Sequence, residues 1–490
     1  MGGNLPGQPV DGGHRLAITH RSNQFEFMKR RQFLRNTGCS AIGGTSMLSA
    51  LINLRLTGSL AAEAKGGDDY KALVCLFLAG GNDSFNMLAP VDPENGYPEY
   101  AAARAGVALP LTDFLPLGDP LPAPDGRTLG LNAQMTELKS LFDQGKAAMV
   151  ANVGTLVEPV TKEELLLGQR PLPLGLYSHS DQTLHWQSGL PDTRSPLGGW
   201  GGRMAGFLND LNGESKVSMN VSLAGLNLFQ SGSATSLLAR SSNEIPGIRN
   251  WGEFAFRHRR TALETMLEGE YHNAFEKAFS SSKKDAIEAG AEYQAALEAT
   301  DPLTTSFTST NNLSMQLKAV AETIAAREGL SKCRQTFFVQ MGGWDHHSSL
   351  ADHPAMLRTV SQAVGEFYGA MVELGLEDSV TLFSASDFAR TITPSGAGTD
   401  HAWGGNQFVV GGDVDGGKIY GSYPSLTPGG ALDTGRGRFI PTTSVDQYVA
   451  DLALWMGVTP SDLDEIVLPN LSNFHDVVND GAPLGLMKTS

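Results

Sequence analysis

The sequence predicts an α/β fold, a doubly wound and mostly parallel sheet with helices on both faces, and three observations carry that reading. Short continuous apolar runs recur along the chain, most of them end in Gly, Ser or Asp, and amphipathic stretches with apolar residues at three- and four-residue spacing separate them. Strands buried on both faces read as unbroken apolar runs, whereas a sheet with one wet face alternates.

The first run is Lys71–Ala79 (KALVCLFLA), which stops at Gly80-Gly81. Ala147–Val153, Gln335–Met341, Val380–Ala385 and Phe408–Gly411 repeat the pattern. Between them Gln134–Asp143, Ala355–Leu374 and Ser444–Met456 carry the helical period. Residues 250–330 differ: Glu253–Phe279 and Lys283–Leu297 are polar, Ala- and Glu-rich helical patterns, and Asp301–Asn312 is a linker. The strand pattern resumes at once afterwards, so this region reads as a helical insertion over the sheet and not as a separate domain.

At the N-terminus, Lys29-Arg30-Arg31-Gln32-Phe33-Leu34-Arg35 sets paired arginines before a weakly apolar, Gly-, Ala- and Ser-rich stretch from about Ala41 to Ala62. That is a twin-arginine export signal. Arg55 interrupts the stretch, leaving less than the roughly 20 unbroken apolar residues a spanning helix needs. Ala62-Glu63-Ala64 supplies small residues for cleavage, so the expected organisation is a signal and extension over 1–64 and one α/β domain over 65–490. The mature protein is expected to be periplasmic or secreted, delivered by the twin-arginine machinery, with no membrane span.

The whole chain carries a net charge of −16, and residues 1–64 hold seven basic against three acidic side chains, leaving 29 basic against 49 acidic. A field of that sign repels nucleic acid and anionic lipid, and it slows an anionic substrate unless bound metal reverses the local potential. Of the three cysteines, Cys39 lies in the signal, while Cys75 and Cys333 sit in or beside buried runs and read as free thiols.

In open α/β sheets ligands bind beyond the carboxyl ends of the strands. Here those positions are loaded: Gly80-Gly81-Asn82-Asp83-Ser84 follows the first run, Gly342-Gly343-Trp344-Asp345-His346-His347 the run at 335–341, and Ser386-Asp387-Phe388-Ala389-Arg390 the run at 380–385. Gly398-Thr399-Asp400-His401-Ala402-Trp403-Gly404-Gly405 comes soon after. Asp and His together offer the oxygen and nitrogen donors of a divalent site, zinc or manganese first, with calcium or magnesium as the alternative. Singly, each Asp is as well explained as a helix cap; it is the convergence of four such loops on one edge that points to metal. Trp186, Trp344 and Trp403 beside these motifs suit either stacking walls or the core.

The order GGND-S, YSHSDQTLHWQSG (Tyr177–Gly189), GGWDHH, SDFART and GTDHAWGG resembles the secreted bacterial family known as domain of unknown function 1501, over essentially residues 71–460. That family is related to the alkaline phosphatase and sulfatase superfamily. The resemblance implies an alkaline-phosphatase-like sheet carrying one or two metal ions and a nucleophile at a helix start. It implies Asp83 and Asp387 on one metal, and Asp345, His347 and His401 on the other, with His346 as a substitute for His347. Phe388 stands where phosphatases of the superfamily place a histidine, which implies a depleted second metal.

The same resemblance nominates Ser180 as nucleophile, with Thr183 and Ser178 behind it, since a helix N-terminus favours an anionic ester. Ser180 and Asp181 serve equally as caps. The sequence has no Cys-x-Pro-x-Arg signature, which disfavours a formylglycine. Arg390 or Arg203 is expected to clamp the non-bridging oxygens of the ester. The implied activity is metal-dependent hydrolysis of a phosphate or sulfate ester, on a small anionic ester or a sulfated or phosphorylated sugar. The alternative is a non-catalytic binding or assembly protein that keeps the fold with a depleted metal site.

Overall fold

The apolar runs become strands of one nine-stranded sheet in a computed structural model that describes residues 69–118, 126–233, 235–242 and 253–488. The expected export signal over 1–64 therefore lies outside the described residues. The strands are β1 (Lys71–Leu78), β2 (Ala147–Gly154), β3 (Asn220–Ser222), β4 (Leu237–Ala239), β5 (Arg334–Met341), β6 (Val380–Ser386), β7 (Gly405–Val410), β8 (Ile419–Tyr420) and β9 (Thr443–Ser444). Their spatial order is β8-β2-β7-β6-β1-β5-β3-β4, with β9 also paired to β2.

β1 is central and parallel to both neighbours, with Leu73 opposite Thr336 on one side and Thr381 on the other. β7 alone among these strands runs against its neighbours β6 and β2. The sheet is thus mixed but mostly parallel. A small second sheet of Leu88–Pro90, Phe114–Pro116 and Leu129–Asn132 is antiparallel; pieces of three or four residues are too short to show a period in sequence.

Successive residues of β1 point to opposite faces. Ala72, Val74, Leu76 and Leu78 join a core with α1 (Thr136–Asp143), α6 (Asn312–Ala325) and α7 (His353–Glu373). Leu73, Cys75 and Phe77 join the other, with α3 (Trp200–Leu208) and α8 (Val445–Met456). Two-faced burial is the physical reason these runs are unbroken. Each fully buried Leu, Val or Phe contributes roughly 1.5–3 kcal/mol of transfer free energy.

The helical region departs from its expected boundaries. After a single turn at Phe254–Phe256, α4 (Arg257–Leu267) ends near Gly269, and α5 runs unbroken over Ala274–Glu298. The serines at 280–282 read as a break, but the buried Ser280 Oγ donates to Leu267 O at 2.8 Å and so ties α5 to the end of α4. α5 packs through Ala289, Tyr293 and Ala296 onto Val217, Ala326 and Leu330.

Cys75 and Cys333 are both free, and Cys333 is only partly buried. Cys75 lies opposite Phe338, five register positions from Cys333, or about 16 Å along the strands. No helix among the described residues is long and apolar enough to cross a membrane.

Candidate metal centre

Because β1, β5 and β6 are parallel, the loops after them leave the sheet at one edge. β7 is antiparallel, so it is the turn entering it, residues 398–404, that reaches the same edge. The loops are packed closely enough to require glycine: a Cβ on Gly80, at φ +120°, would lie 2.6 Å from Asp345 N, and one on Gly81, at φ +83°, would lie 2.6 Å from the Phe388 ring.

At this edge three imidazoles surround one carboxylate oxygen. His179 Nε2, His347 Nε2 and His401 Nε2 lie 3.7, 3.1 and 3.7 Å from Asp345 Oδ1. His347 Nε2 and His401 Nε2 are 2.8 Å apart. Donors of a tetrahedral zinc site at 2.0–2.1 Å stand about 3.3 Å from one another, within the span of these separations. Asp400 flanks the group, its Oδ1 at 3.9 Å from His347 Nδ1. His179, Asp345 and His401 form one set of potential metal donors, and His347, Asp400 and His401 another.

His179 is the residue the sequence reading missed. It is the first residue of α2 (His179–Ser188), which Ser178 caps through Asp181 N. Its Nδ1 lies 2.6 Å from Asp387 Oδ2. A carboxylate only accepts, so Nδ1 carries the proton and Nε2 presents a lone pair. That Nε2 is shielded from water and has no hydrogen-bond partner among the described residues. The His401 ring is fixed the same way, its Nδ1 donating to Tyr177 O at 2.7 Å. Tyr177, at φ +73°, holds the left-handed conformation that aims this carbonyl. Burial pushes His401 below the usual imidazole range, against the pull of the Tyr177 bond, which favours the neutral ring that metals bind. A hydrogen-bonded carboxylate or carbonyl behind an imidazole is the usual support of a metal-binding histidine, so the residues present fit a divalent ion.

The structure gives the other nominated residues different tasks. Asp387 is 4% exposed and sits behind His179, also accepting from Gly80 N at 3.2 Å. Asp83 is fully buried; its Oδ2 pairs with Arg104 at 2.8 Å and accepts from Thr399 Oγ1 at 3.1 Å, and its Oδ1 has no hydrogen-bond partner among the described residues. Burial alone pushes Asp83 up, but Arg104, His353 and these hydrogen bonds hold it below the usual carboxylate range. His346 is buried with Trp344 and His353, away from the three imidazoles, so His347 is the histidine of this loop that faces the cluster.

Arg390 is not a free clamp. Fully buried, it donates to the carbonyls of Gly80, Gly81 and Thr399 and ion-pairs Asp345. Burial pushes Asp345 up, and the Arg390 bond and charge more than offset it. Arg203 is spent likewise on the carbonyls of Ser188, Gly198 and Val467. Ser180 is exposed in the first turn of α2 and shares a 3.1 Å hydrogen bond with Ser178 Oγ. Thr183 lies one turn along on the His179 side of the helix. Trp186, Trp344 and Trp403 are core residues, not walls; Trp403 Nε1 donates to Thr155 O.

Phe388 lies beneath two imidazoles, its ring 4.7 Å from that of His179 and 4.5 Å from that of His401.

The family model described as "Protein of unknown function (DUF1501)" matches residues 70–433. No curated protein matches in sequence. Solved structures that match include Ps i-CgsB in complex with k-i-k-neocarrahexaose, at 10% identity over 80% of this chain and 73% of that one, with a TM-score of 0.29. The PsFucS1 sulfatase from Pseudoalteromonas sp. matches at 10% identity over 84% of this chain and 72% of that one, with a TM-score of 0.32. The likeness is remote in both.

Proposed function

The chain belongs to the DUF1501 family, and from that premise we propose that it is an exported, metal-dependent hydrolase of sulfate or phosphate esters whose centre holds one divalent ion. The observation that carries the reading is the His179 Nε2 lone pair, buried without a partner and facing Asp345 and His401. A nitrogen acceptor left in that state costs free energy unless something electron-poor sits against it.

Bound there, zinc or manganese supplies a Lewis acid that polarises the ester oxygen. The chain's own residues do the rest. Asp387 and the Tyr177 carbonyl fix two rings with Nε2 inward, Arg390 holds the carboxylate of Asp345 in place, and Phe388 keeps one side dry. Of the three aspartates and two histidines that the sequence assigns to two ions, Asp345, His347 and His401 stay at the centre, Asp387 supports His179, and Asp83 pairs with Arg104. Ser180 is carried forward as the nucleophile, since it stands beside His179 in the exposed first turn of a ten-residue helix.

One observation favours a non-catalytic binding protein: the hydroxyl of Ser180 bonds Ser178 and none of the imidazoles or carboxylates of the cluster. Turnover of 4-nitrophenyl sulfate and 4-nitrophenyl phosphate by metal-loaded protein separates the two. Hydrolysis lost in His179→Ala and His401→Ala supports the enzyme; stoichiometric metal without turnover of either ester supports the binding protein.

A further inference from the structure

With Arg390 and Arg203 buried in backbone contacts, the guanidinium that faces solvent beside the cluster is Arg436. Its side chain is 42% exposed and donates Nη1 to Asp400 Oδ2 at 2.9 Å. Arg438 shares the same oxygen at 3.0 Å, donates Nε to His401 O at 2.8 Å and lies over the Tyr177 ring. One carboxylate oxygen of Asp400 thus takes both arginines. Among the described residues Nε and Nη2 of Arg436 have no partner, which leaves a two-pronged donor edge of the kind that takes carboxylate, sulfate or phosphate.

The segment that presents it is built for the purpose. Arg436 itself is at φ +62°, between Gly435 and Gly437, both also at positive φ. Asp433, 2% exposed, accepts from the backbone N–H groups of Gly435 and Gly437 at 2.7 and 2.8 Å and from Gly429 N at 2.8 Å. A non-glycine residue held left-handed costs of order 1–3 kcal/mol, and it persists because the buried carboxylate over-determines the turn.

Position decides what Arg436 takes. The Asp400 carboxylate stands between its guanidinium and His347, so an anion on Arg436 is not the one at the imidazoles. We propose that Arg436 is a specificity-determining residue that binds a second anionic group of the substrate, so that the site selects polyanionic esters over isolated ones. In a chain whose residues 65–490 are strongly acidic, an exposed guanidinium with free donors is the group at this edge that can attract an anion. The inference rests on the ester-hydrolase reading for the first anion, and it predicts a preference that does not depend on turnover.

The test is equilibrium binding by calorimetry to the metal-loaded protein, with inorganic sulfate as the single anion and sucrose octasulfate and inositol hexakisphosphate as polyanions. The two polyanions separate a sulfate source from a phosphate one. The wild type is expected to bind at least one polyanion ten or more times more tightly than sulfate. Arg436→Gln is expected to lose that preference at least tenfold while metal content and sulfate affinity stay within twofold, Arg436→Lys to keep part of it, and Lys216→Gln, which removes an exposed charge on Asp285, to keep all of it. Polyanion affinity in Arg436→Gln within twofold of wild type overturns the proposal alone. Absence of any anion binding to the wild type overturns it together with the hydrolase reading.

Discussion

His179 Nδ1 meets Asp387 Oδ2 at 2.6 Å across 208 positions of sequence, and that bond turns the other nitrogen of the ring toward Asp345 and His401. In the proposed metal centre Asp387 acts on the ion through the imidazole it orients. Replacing Asp387 by Asn weakens the acceptor that keeps the proton on Nδ1. The expected result is a 10–100-fold loss of zinc affinity by chelator competition, the usual effect of removing such a support, with little change in melting temperature. Unchanged affinity would show that the bond is structural only.

Asp83 is expected to behave in the opposite way. Its removal leaves Arg104 as a buried, unpaired charge, so Asp83→Ala should cost about 3–5 kcal/mol by denaturant unfolding. Protein that remains folded should keep its metal. Because the folded carboxyl titrates below its ordinary value, the stabilisation it provides is present at neutral pH and lost as pH falls through the acid range. A stable Asp83→Ala protein lacking metal would restore Asp83 as a ligand.

Much of the fold was legible in the sequence. The five long runs are strands because both faces are covered, and the unbroken apolar pattern records that. The strand-end residues Asp345, His347 and His401 were legible by the same logic. His179 was not, since it follows an irregular segment and its partner is remote; the signal available was a histidine beside the serine already chosen as a helix start. Asp83 occupies the same kind of strand-end position as Asp345, and nothing local shows that Arg104, 21 residues on, claims it. The run at Phe408–Gly411 carries no sign that its strand β7 is reversed, and the three-residue strands are too short to show a period.

Asp446 yields a pH dependence of stability away from the metal centre. It is 1% exposed; Asn470 Nδ2 donates to one carboxylate oxygen at 3.1 Å, and the other has no partner. Burial pushes its pKa up to about 7 from 3.8, against the pull of Asn470 and Arg203. With the folded value above the unfolded one, the protonated acid is favoured on folding. The stability is therefore full below about pH 4 and lost as pH rises toward 7. The wild type should be measurably less stable at pH 8 than at pH 5, and Asp446→Asn should remove up to about 3 kcal/mol of that difference. Parallel profiles for the two proteins would contradict the assignment.

Gly80 tests how the loops are held together. Gly80→Ala places a Cβ against Asp345 N in a backbone conformation that side chains rarely adopt. The expected outcome is a loss of order 1–3 kcal/mol in stability together with weaker metal binding, because the residue displaced is the carboxylate at the centre of the cluster. A variant with unchanged metal affinity would show that the two loops move independently.

The most direct measurement is a crystal structure of the zinc-loaded protein with anomalous data at the metal edge. A single ion bonded by His179 Nε2, His401 Nε2 and the Asp345 carboxylate, with His347 beside it, Asp387 still on His179 Nδ1 and Asp83 still on Arg104, is the expected result. An ion bonded by Asp83 and Asp387, or no ion at the three imidazoles, contradicts it.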